Sequence, residues 1–372
     1  MKDEKIVILH ILDSLDYGGI QSFLLNIYKN IDRDKIRFDF LLTYRGVHDK
    51  EFADLGSKIY YIPNIKDVGY LKYTKGLKSF FRAHRDYQNV HIHYSQLTGL
   101  VAMIAHREGI QNIISHSHSA TMQSKGKTAL VKKIFQIGVF RYPNHYLACS
   151  DKAAKFLFCN KAKKVKIIHN GVDLEEYRFN IQERSRIRNE LGFSKNDVVI
   201  GHVGRMDRVK NQAFLIKVFR EICNKRDNVR LLLIGDGPEK KNLEQIAKEL
   251  ELGNKVMFLG NKNDSNRYYN AMDCFVFPSI SEGLGISLIE AQANGLCCFA
   301  STAVPKDADA TKTTSFVSLD ESAEHWADKI LNADLKRYDK TNMIIESGYD
   351  IKECAKELQD FYSAMGNRKV KR

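Results

Sequence analysis

The sequence predicts an α/β protein made of two doubly wound, Rossmann-like domains, each a parallel sheet covered by helices on both faces. The length of 372 residues suits two domains of roughly 150 residues better than one. Apolar residues make up 44% of the chain, which is enough for a large core and excludes global disorder. Short apolar strands alternate with helical patterns in the first half, and this alternation restarts near residue 197.

The first half begins with a buried strand, Ile6–Ile11, which is followed by a glycine turn at Gly18-Gly19 and a helical pattern over 21–28. Further strands are predicted at 38–42, 59–62, 90–93, 113–116, 146–149 and 164–168, with helices near 73–86, near 97–108 and from about 151. These elements predict an N-terminal domain over residues 1–172.

The second half repeats the pattern over residues 197–350. Its predicted strands are 198–203, 229–234, 256–259 and 274–277, and the clearest helix is 212–219. The segment 173–196 is polar and lacks a sustained strand, so we expect an interdomain connection there. Residues 351–372 are expected to form a helix that crosses back to the first domain and ends in a basic tail. The carboxyl ends of both sheets would face a shared cleft, where such sheets bind ligands.

The net charge of +13 is concentrated in the first half of the chain. Residues 1–180 hold 28 Lys and Arg against 17 Asp and Glu, whereas residues 181–372 hold 30 against 28. The seven cysteines form no C-x-x-C pair, which indicates a reduced, cytoplasmic setting. No signal peptide or membrane span is visible, so we expect any membrane contact to be peripheral.

The densest motif is a glycine-rich segment between a predicted strand and a predicted helix, over residues 278–291. Gly283 and Gly285 would leave backbone N–H groups bare at the helix start, which is a site for phosphate. Glu282 at the strand end and Glu290 about two turns along the helix would bind different hydroxyls of one extended ligand. The alternative is a turn whose glycines only permit the bend and whose glutamates are solvated.

A second motif, at residues 201–211, places Gly204, Arg205 and Lys210 in the same strand-to-helix context. The two cations suit a diphosphate leaving group, although exposed cations on a loop are often only solvated. The Gly18-Gly19 turn offers further amides. The sequence has no G-x-x-x-x-G-K-[ST] motif, and Gly235-Asp-Gly237 lacks the third glycine of a dinucleotide site, which argues against ATP hydrolysis and hydride transfer.

Two histidine pairs lie at predicted strand ends, His91 with His93 and His116 with His118. Because no cysteine or carboxylate cluster completes a metal site, we expect no metal. The pairs are interpreted either as neutral hydrogen-bonding imidazoles at the cleft or as structural histidines.

Residues 122–166 form a basic stretch with one acidic residue, Asp151. It suits an anionic membrane leaflet, while a nucleic-acid surface or a merely solvated face has the same composition. Its cations are Lys125, Lys127, Lys132, Lys133, Arg141, Lys152, Lys155, Lys161, Lys163, Lys164 and Lys166, interleaved with Phe135, Phe140, Tyr142, Phe156 and Phe158.

Taken in order, these residues resemble the family-4 retaining glycosyltransferases of the GT-B fold, most closely the bacterial members that build capsular and exopolysaccharides. The resemblance spans nearly the whole chain, and the Glu282-x7-Glu290 spacing with Arg205 and Lys210 upstream makes it specific. The other matching residues are Gly18-Gly19, His118, 148–150, 170–173, Gly204, Lys210-Asn211 and 235–238.

The resemblance implies a nucleotide-sugar donor bound mostly by the C-terminal domain. Arg205 and Lys210 would bind the donor diphosphate, Glu282 the sugar hydroxyls and Glu290 the ribose. Backbone groups of Gly18, Gly19, Gly204, Gly283, Leu284 and Gly285 would contact the donor, and His118 would contact the sugar or acceptor, with His116 as the competing residue. Many relatives carry Glu where this chain has Gln21, so no catalytic role is assigned there.

The resemblance also implies retention of configuration without a protein nucleophile, a cofactor or a metal. The donor is expected to be UDP-linked, because polysaccharide relatives usually use UDP. The acceptor would be a lipid-linked saccharide at the anionic inner leaflet, with other polysaccharide-assembly enzymes as further partners and no nucleic acid. The rival hypotheses are a nucleotide-sugar epimerase of the same architecture, which would release no UDP, and a non-catalytic binding module, in which Glu282→Ala would be silent.

Overall fold

The computed structural model describes residues 5–95, 97–118 and 138–366 of the chain. The chain divides into two compact units, the first holding the residues up to Gly171 together with those from Ile351 onward, and the second holding Val172–Asp350.

The first unit contains a seven-stranded sheet in which every described pair of strands is parallel, in the order β3-β2-β1-β4-β5-β6-β7. Branched and aromatic residues fill these strands because a sheet covered on both faces buries successive side chains on either side. The strands are β1 (Ile6–Ile11), β2 (Ile36–Leu42), β3 (Ile59–Tyr61), β4 (Asn89–Ile92), β5 (Asn112–Ser117), β6 (His145–Ala148) and β7 (Lys166–Ile167).

The helices between these strands bury one face each, as Phe23, Leu24 and Ile27 of the first helix show. The third helix is kinked at Gly69, which has a φ of 75°. These helices are α1 (Gly19–Asn30), α2 (Asp49–Asp54), α3 (Ile65–Ala83), α4 (Thr98–Arg107) and α5 (Asp151–Phe158), followed by a 3-10 turn over Cys159–Lys164.

The second unit contains a six-stranded parallel sheet in the order β10-β9-β8-β11-β12-β13. Its strands are β8 (Val198–Val203), β9 (Val229–Ile234), β10 (Val256–Phe258), β11 (Cys274–Phe277), β12 (Cys297–Ser301) and β13 (Ser315–Val317). The sequence analysis identified the first four of these strands and missed β12 and β13.

The helices of the second unit include two in the segment 173–196, where the sequence predicted only a connection. They pack within the second unit, so this segment is a part of it. The helices are α6 (Leu174–Tyr177), α7 (Ile181–Glu190), α8 (Gln212–Lys225), α9 (Lys240–Glu249), α10 (Ser265–Tyr269), α11 (Ile286–Ala293), α12 (Ala323–Leu331) and α13 (Thr341–Glu346).

The last described helix, α14 (Ile351–Gly366), packs against α1 and β1 in the first unit. Leu358 and Tyr362 are buried in the core of that unit, and Glu357 pairs with Lys166 at 3.1 Å. Gly171 lies against the start of α14, because a Cβ there would come within 2.7 Å of the Ile351 Cα atom. Within the described ranges, no helix has the length and apolar content needed to cross a bilayer.

Each sheet reverses its strand order beside its first strand. β1 lies between β2 and β4, and β8 lies between β9 and β11. Doubly wound sheets bind ligands at such switch points, beyond the carboxyl ends of the strands. The loops that leave β1 and β8 there contain Gly18-Gly19 and Gly204-Arg205, and the loop that leaves β11 contains Glu282.

Candidate functional site

The turn from β11 to α11 positions the glycine-rich motif of the second unit. Gly285 caps α11 in the left-handed conformation with φ 99°, and a Cβ there would lie 3.1 Å from the Phe277 ring. Glycine is therefore favoured at this position on both conformational and steric grounds. The first N–H groups of α11 have no partner within the helix, so the turn presents donors and a positive dipole end to an anion.

Lys210 and Glu282 form an ion pair in this turn. Lys210 Nζ lies 2.8 Å from Glu282 Oε1, and their side chains are 20% and 11% exposed. The ammonium group also lies 4.8 Å from the centre of the Phe277 ring, within the range of a cation–π contact. Because the pair is largely shielded from water, both charges are held in fixed positions at the end of β11.

The loop that contains Lys210 is fixed to the loop that contains Glu282 by hydrogen bonds to backbone carbonyls. Ile280 N–H donates to the Val209 carbonyl at 2.8 Å, and the Asn211 amide donates to the Pro278 carbonyl at 3.2 Å. The Asp207 carboxylate accepts hydrogen bonds from the N–H groups of Val209 and Lys210. The 2.8 Å separation of the ion pair is therefore a property of the two loops and not only of two flexible side chains.

Arg205 lies on the same loop with an exposed side chain that makes no hydrogen bond or ion pair within the described residues. Its backbone is held by Gln212, which donates to the Arg205 carbonyl at 2.9 Å. Gly204, which precedes it, packs against Gly235 so closely that a Cβ on Gly235 would lie 2.1 Å from the Gly204 carbonyl oxygen. The Gly235-Asp-Gly motif thus supports the loop that presents Arg205.

Glu290 accepts a hydrogen bond from the buried Tyr269 hydroxyl at 2.7 Å, and Tyr177 is a second hydroxyl partner. Burial raises the pKa of the Glu290 carboxyl above its usual value, although both tyrosine contacts favour the ionised form. The sequence analysis identified Glu290 and missed the two tyrosines. Tyr177 precedes Glu290 by more than a hundred residues and Tyr269 precedes it by about twenty, and no periodic signal in the sequence connects either tyrosine to Glu290.

The loop between Tyr269 and β11 is held by three arginines around Asp273. Arg184 Nη2 lies 2.5 Å from Asp273 Oδ1, and Arg188 Nη1 lies 3.3 Å from Oδ2. Arg337 donates to the Tyr269 carbonyl at 2.8 Å and to the Met272 carbonyl at 2.5 Å, and burial lowers its pKa to about 9. These arginines position the Tyr269 backbone and therefore the partner of Glu290.

In the first unit, Gly18 and Gly19 form the turn between β1 and α1. A Cβ added to Gly19 would meet no atom within 4 Å, whereas one added to Gly18 would lie 2.5 Å from the Gln21 amide oxygen. Gln21 donates to the Ser14 carbonyl at 2.8 Å, so its side chain holds the turn.

The predicted histidine pairs belong to a cluster that also includes His10, which the sequence analysis did not connect with them. His116 has no exposed surface and shares a hydrogen bond with His91 at 3.1 Å. His118, at the end of β5, is partly exposed and shares a hydrogen bond with His93 at 2.9 Å. The structure therefore leaves part of the His118 ring exposed and none of His116, although the Nδ1 atom of His118 is enclosed.

The structure thus brings together the predicted residues of each unit separately. In the second unit, Lys210 and Glu282 are paired, Gly283, Leu284 and Gly285 form the turn into α11, and Glu290 follows on that helix. In the first unit, Gly18-Gly19 and His118 follow strands β1 and β5, which lie on either side of β4.

Comparison with known proteins identifies related sequences over both units. Residues 17–176 match the family model described as Glycosyltransferase Family 4, and residues 183–351 match the one described as Glycosyl transferases group 1. EpsF of Bacillus subtilis, named as a glycosyltransferase, is 30% identical over 369 residues, which is 96% of each chain.

Two further relatives carry names that describe a glycosyltransferase of capsular polysaccharide synthesis and a galactosyltransferase. The capsular polysaccharide biosynthesis glycosyltransferase CapH of Staphylococcus aureus is 26% identical over 96% of this chain and 98% of its own. An Escherichia coli protein named UDP-Gal:alpha-D-GlcNAc-diphosphoundecaprenol alpha-1,3-galactosyltransferase is 25% identical over 80% and 79%. Among solved structures, Anabaena Alr3699/HepE in complex with UDP and glucose matches with a TM-score of 0.81 at 20% identity, over 96% of this chain and 99% of its own.

Proposed function

Because this chain belongs to the family-4 glycosyltransferases of the GT-B fold, in the capsular and exopolysaccharide group, we propose that it moves a sugar from a UDP-linked donor to a lipid-linked saccharide with retention of configuration. Glycosyl transfer is the activity of the family. The UDP donor, the lipid-linked acceptor and the stereochemistry are our proposals for this chain.

The observation that supports donor binding most directly is the Lys210–Glu282 ion pair at the glycine-rich start of α11. A nucleotide sugar has an anionic diphosphate beside a neutral sugar with several hydroxyls. The ammonium group and the helix amides suit the diphosphate, and the carboxylate suits the hydroxyls. In this site, diphosphate binding draws Lys210 toward the phosphates and frees Glu282 for the sugar.

The same groups favour bond cleavage. When the bond to the anomeric carbon breaks, the UDP leaving group gains negative charge. We propose that Lys210, the exposed guanidinium group of Arg205 and the amides of residues 283–285 neutralise this charge. We therefore propose that transfer requires no divalent metal and no covalent intermediate on the protein, and that a donor phosphate oxygen removes the acceptor proton.

Glu290 fits the ribose of the same donor. Its carboxylate lies on α11, beyond the turn that would bind the diphosphate, and its tyrosine partners hold it in one orientation. A ribose has two neighbouring hydroxyls, and a carboxylate has two oxygens that accept hydrogen bonds from them. The name of the E. coli relative supports UDP as the nucleotide.

The proposed acceptor is a saccharide on a lipid diphosphate at an anionic leaflet, as the name of the E. coli relative suggests. The excess positive charge of residues 1–180 supports this placement. Within the basic stretch, the structure describes the side chains of Arg141, Lys152, Lys155, Lys163, Lys164 and Lys166. Lys152, Lys155, Lys163 and Lys164 are exposed, while Phe158 is buried in the core. Lys125, Lys127, Lys132, Lys133 and Phe135 lie outside the described residues.

The decisive experiment measures UDP release and product formation with a panel of UDP-sugars and a lipid-diphosphate saccharide. We expect one donor to give a product with the donor's anomeric configuration by NMR, with activity unchanged by EDTA. Glu282→Gln should lower kcat at least about a hundredfold, since the sugar then lacks its carboxylate partner. Lys241→Gln, an exposed change of similar size on α9, is the control.

Two outcomes would contradict the proposal. If Glu282→Gln transfers sugar at the wild-type rate, the ion pair is structural. If the wild-type protein interconverts UDP-sugars without releasing UDP, the enzyme is an epimerase.

A further inference from the structure

Five histidines lie on one face of the first sheet, on the neighbouring strands β1, β4 and β5 or directly after them. His91 and His93, like His116 and His118, are two residues apart, so their side chains point to the same side of the sheet. His10, His91, His93 and His116 are buried, and Phe23 of α1 packs edge-on against His116. Burial lowers the pKa of all five, to about 3 for His10 and His118, so the rings are neutral at physiological pH.

Three of these rings form a continuous hydrogen-bonded chain. His10 Nδ1 lies 2.9 Å from His93 Nε2, and His93 Nδ1 lies 2.9 Å from His118 Nε2. The ring centres in these pairs are 5.2 and 5.1 Å apart, which places the bonded nitrogens close to the line between the centres. A second chain, which joins Tyr362, His91 and His116, stacks against the first.

The geometry favours hydrogen bonding over a metal site. Two groups of three, His10 with His91 and His93, and His93 with His116 and His118, each bring one nitrogen per ring within 4.8 Å of the others, so a shared metal ion has to be considered. However, His93 Nδ1 lies 2.9 Å from His118 Nε2, and His10 Nδ1 lies at the same distance from His93 Nε2. Two nitrogens that bind one zinc ion at about 2.0 Å in a tetrahedron lie about 3.3 Å apart, so these pairs are at hydrogen-bond distance.

A neutral imidazole has one N–H donor and one acceptor nitrogen. In a chain of three rings with two hydrogen bonds, one donor and one acceptor are therefore left over, at opposite ends. The two end atoms are His10 Nε2 and His118 Nδ1, and neither has a hydrogen-bond partner among the described residues. Only two arrangements of the protons are possible, and they differ in which end retains the donor.

The surroundings of the two ends decide between these arrangements. His10 has no exposed surface and packs against Phe38 and Phe40, at ring-centre distances of 4.2 and 5.5 Å. A buried N–H group without a partner is rarer in proteins than an unused acceptor. The His118 ring is partly exposed although its Nδ1 is enclosed and unpartnered among the described residues, so this is the end that a ligand can approach and at which a ligand oxygen can supply the missing partner. The acceptor end therefore belongs at His10, and the N–H groups point along the chain toward His118.

We infer that His10 and His93 are positioning residues that hold His118 with its proton on Nδ1, so that His118 donates a hydrogen bond to a substrate oxygen and does not act as a base. His10 Nδ1–H donates to His93, and His93 Nδ1–H donates to His118 Nε2. The inference rests on the proposed function in one respect, namely that His118 touches the donor sugar or the acceptor.

The tautomer itself is tested without substrate. The full chain, labelled with ¹⁵N-histidine, is examined by long-range ¹H–¹⁵N correlation NMR. We expect His118 to show a protonated Nδ1 in the wild-type protein. In His93→Phe, which keeps a ring in the stack but removes both hydrogen bonds, the Nε2–H form of His118 should appear. His10→Phe should have the same effect if His93→Phe does not fold. Tyr362→Phe, on the other chain, is the matched control and should leave His118 unchanged.

The kinetic consequence is tested with the active donor. His93→Phe should lower kcat about tenfold, the size expected for one lost hydrogen bond to the transition state, and change KM less than about twofold. His93→Gln, whose amide can accept from His10 and donate to His118, should restore part of kcat.

The inference is overturned if His118 has its proton on Nε2 in the wild-type protein, if His93→Phe leaves that tautomer unchanged, or if the purified protein contains one equivalent of bound zinc. A wild-type protein that transfers no sugar would contradict the proposed function instead, because the NMR result does not depend on turnover.

Discussion

At the scale of single residues, Glu290 shows how the protein stabilises a poorly hydrated carboxylate. Tyr269 and Tyr177 donate hydrogen bonds to it, yet burial still raises its pKa above the usual value. The ionised form is therefore less favourable in the folded protein than in the unfolded chain. Such a cost in stability is expected where a carboxylate serves to bind a ligand, because the bound ligand then supplies the hydrogen bonds that the carboxylate lacks.

Glu290→Gln is expected to stabilise the protein in a pH-dependent way. Because the folded-state pKa of Glu290 is raised, the folded protein binds more protons, and its stability falls as the pH rises above the unfolded value of about 4.3. The variant has no carboxyl group at this position to ionise, so its stability does not fall in this way. Its free energy of unfolding should equal that of the wild type near pH 4 and exceed it increasingly as the pH rises toward the folded-state pKa. Urea unfolding from pH 4 to 8 measures the difference.

The same substitution should weaken donor binding, since a neutral amide is a poorer acceptor than a carboxylate for ribose hydroxyls. We expect KM for the donor to rise about tenfold with a smaller change in kcat. Glu244→Gln, an exposed change on α9, controls for loss of charge. A variant that is less stable than the wild type at pH 8 would show that Glu290 is a structural carboxylate.

At the scale of elements, the β11–α11 turn connects fold and site. A single conformation of Gly285 sets the direction of α11, the position of its first amides and the separation between Glu282 and Glu290. The loop containing Lys210 is then docked on this turn by hydrogen bonds to backbone carbonyls. A change in the backbone of the turn should therefore affect activity and stability together.

Gly285→Ala tests this connection. The variant must keep φ near 99° and fit a Cβ that would lie 3.1 Å from Phe277, so we expect a loss of about 2 kcal/mol in stability. UDP-sugar turnover should fall at least about tenfold at a temperature where the variant remains folded. Calorimetry and UDP release measure the two effects.

Gly253→Ala is the matched control for the left-handed conformation. Gly253 also has a positive φ, of 51°, but a Cβ there would meet no atom within 4 Å. It should cost about 1 kcal/mol and leave turnover unchanged. Equal effects of the two substitutions on turnover would argue that the turn has no special role in the site.

At the scale of the whole molecule, charge distinguishes the two parts of the chain. The net charge of +13 comes largely from residues 1–180, whereas residues 181–372 are nearly balanced. The cations proposed to bind the donor lie in residues 181–372, where positive and negative charges nearly cancel. Donor binding therefore relies on a few cations at specific positions and not on net charge. The excess charge of the first part is available for an extended anionic surface.

We expect the protein to sediment with vesicles that contain anionic lipid at ~0.1 M salt and not with neutral vesicles, because a Lys or Arg near such a surface contributes about 1 kcal/mol. Replacing Lys125, Lys127, Lys132 and Lys133 by Gln should weaken binding at least about tenfold. The matched control replaces four exposed lysines of the second unit, Lys241, Lys248, Lys312 and Lys329. Equal effects of the two sets would place the membrane contact elsewhere or show that only net charge matters.

The central strands of both sheets could be predicted from the sequence, because strands buried on both faces are short apolar runs. Ile6–Ile11, Val198–Val203, Val229–Ile234 and Cys274–Phe277 have the predicted bounds. β12 was missed because Cys297–Ser301 contains small and polar residues whose burial depends on neighbours. The segment 173–196 was misjudged because α7 is strongly polar, yet its Arg184 and Arg188 turn inward to Asp273.

The sequence by itself determined the family, the two doubly wound units and the order of the glycine, cation and glutamate motifs, because these depend on local periodicity and on spacing within single loops. The tertiary structure alone decided that Lys210 pairs with Glu282, that tyrosines hold Glu290, that His116 is buried and that His10 joins His93 and His118. Each of these contacts joins different elements, and parallel sheet order, not chain distance, brings such residues together.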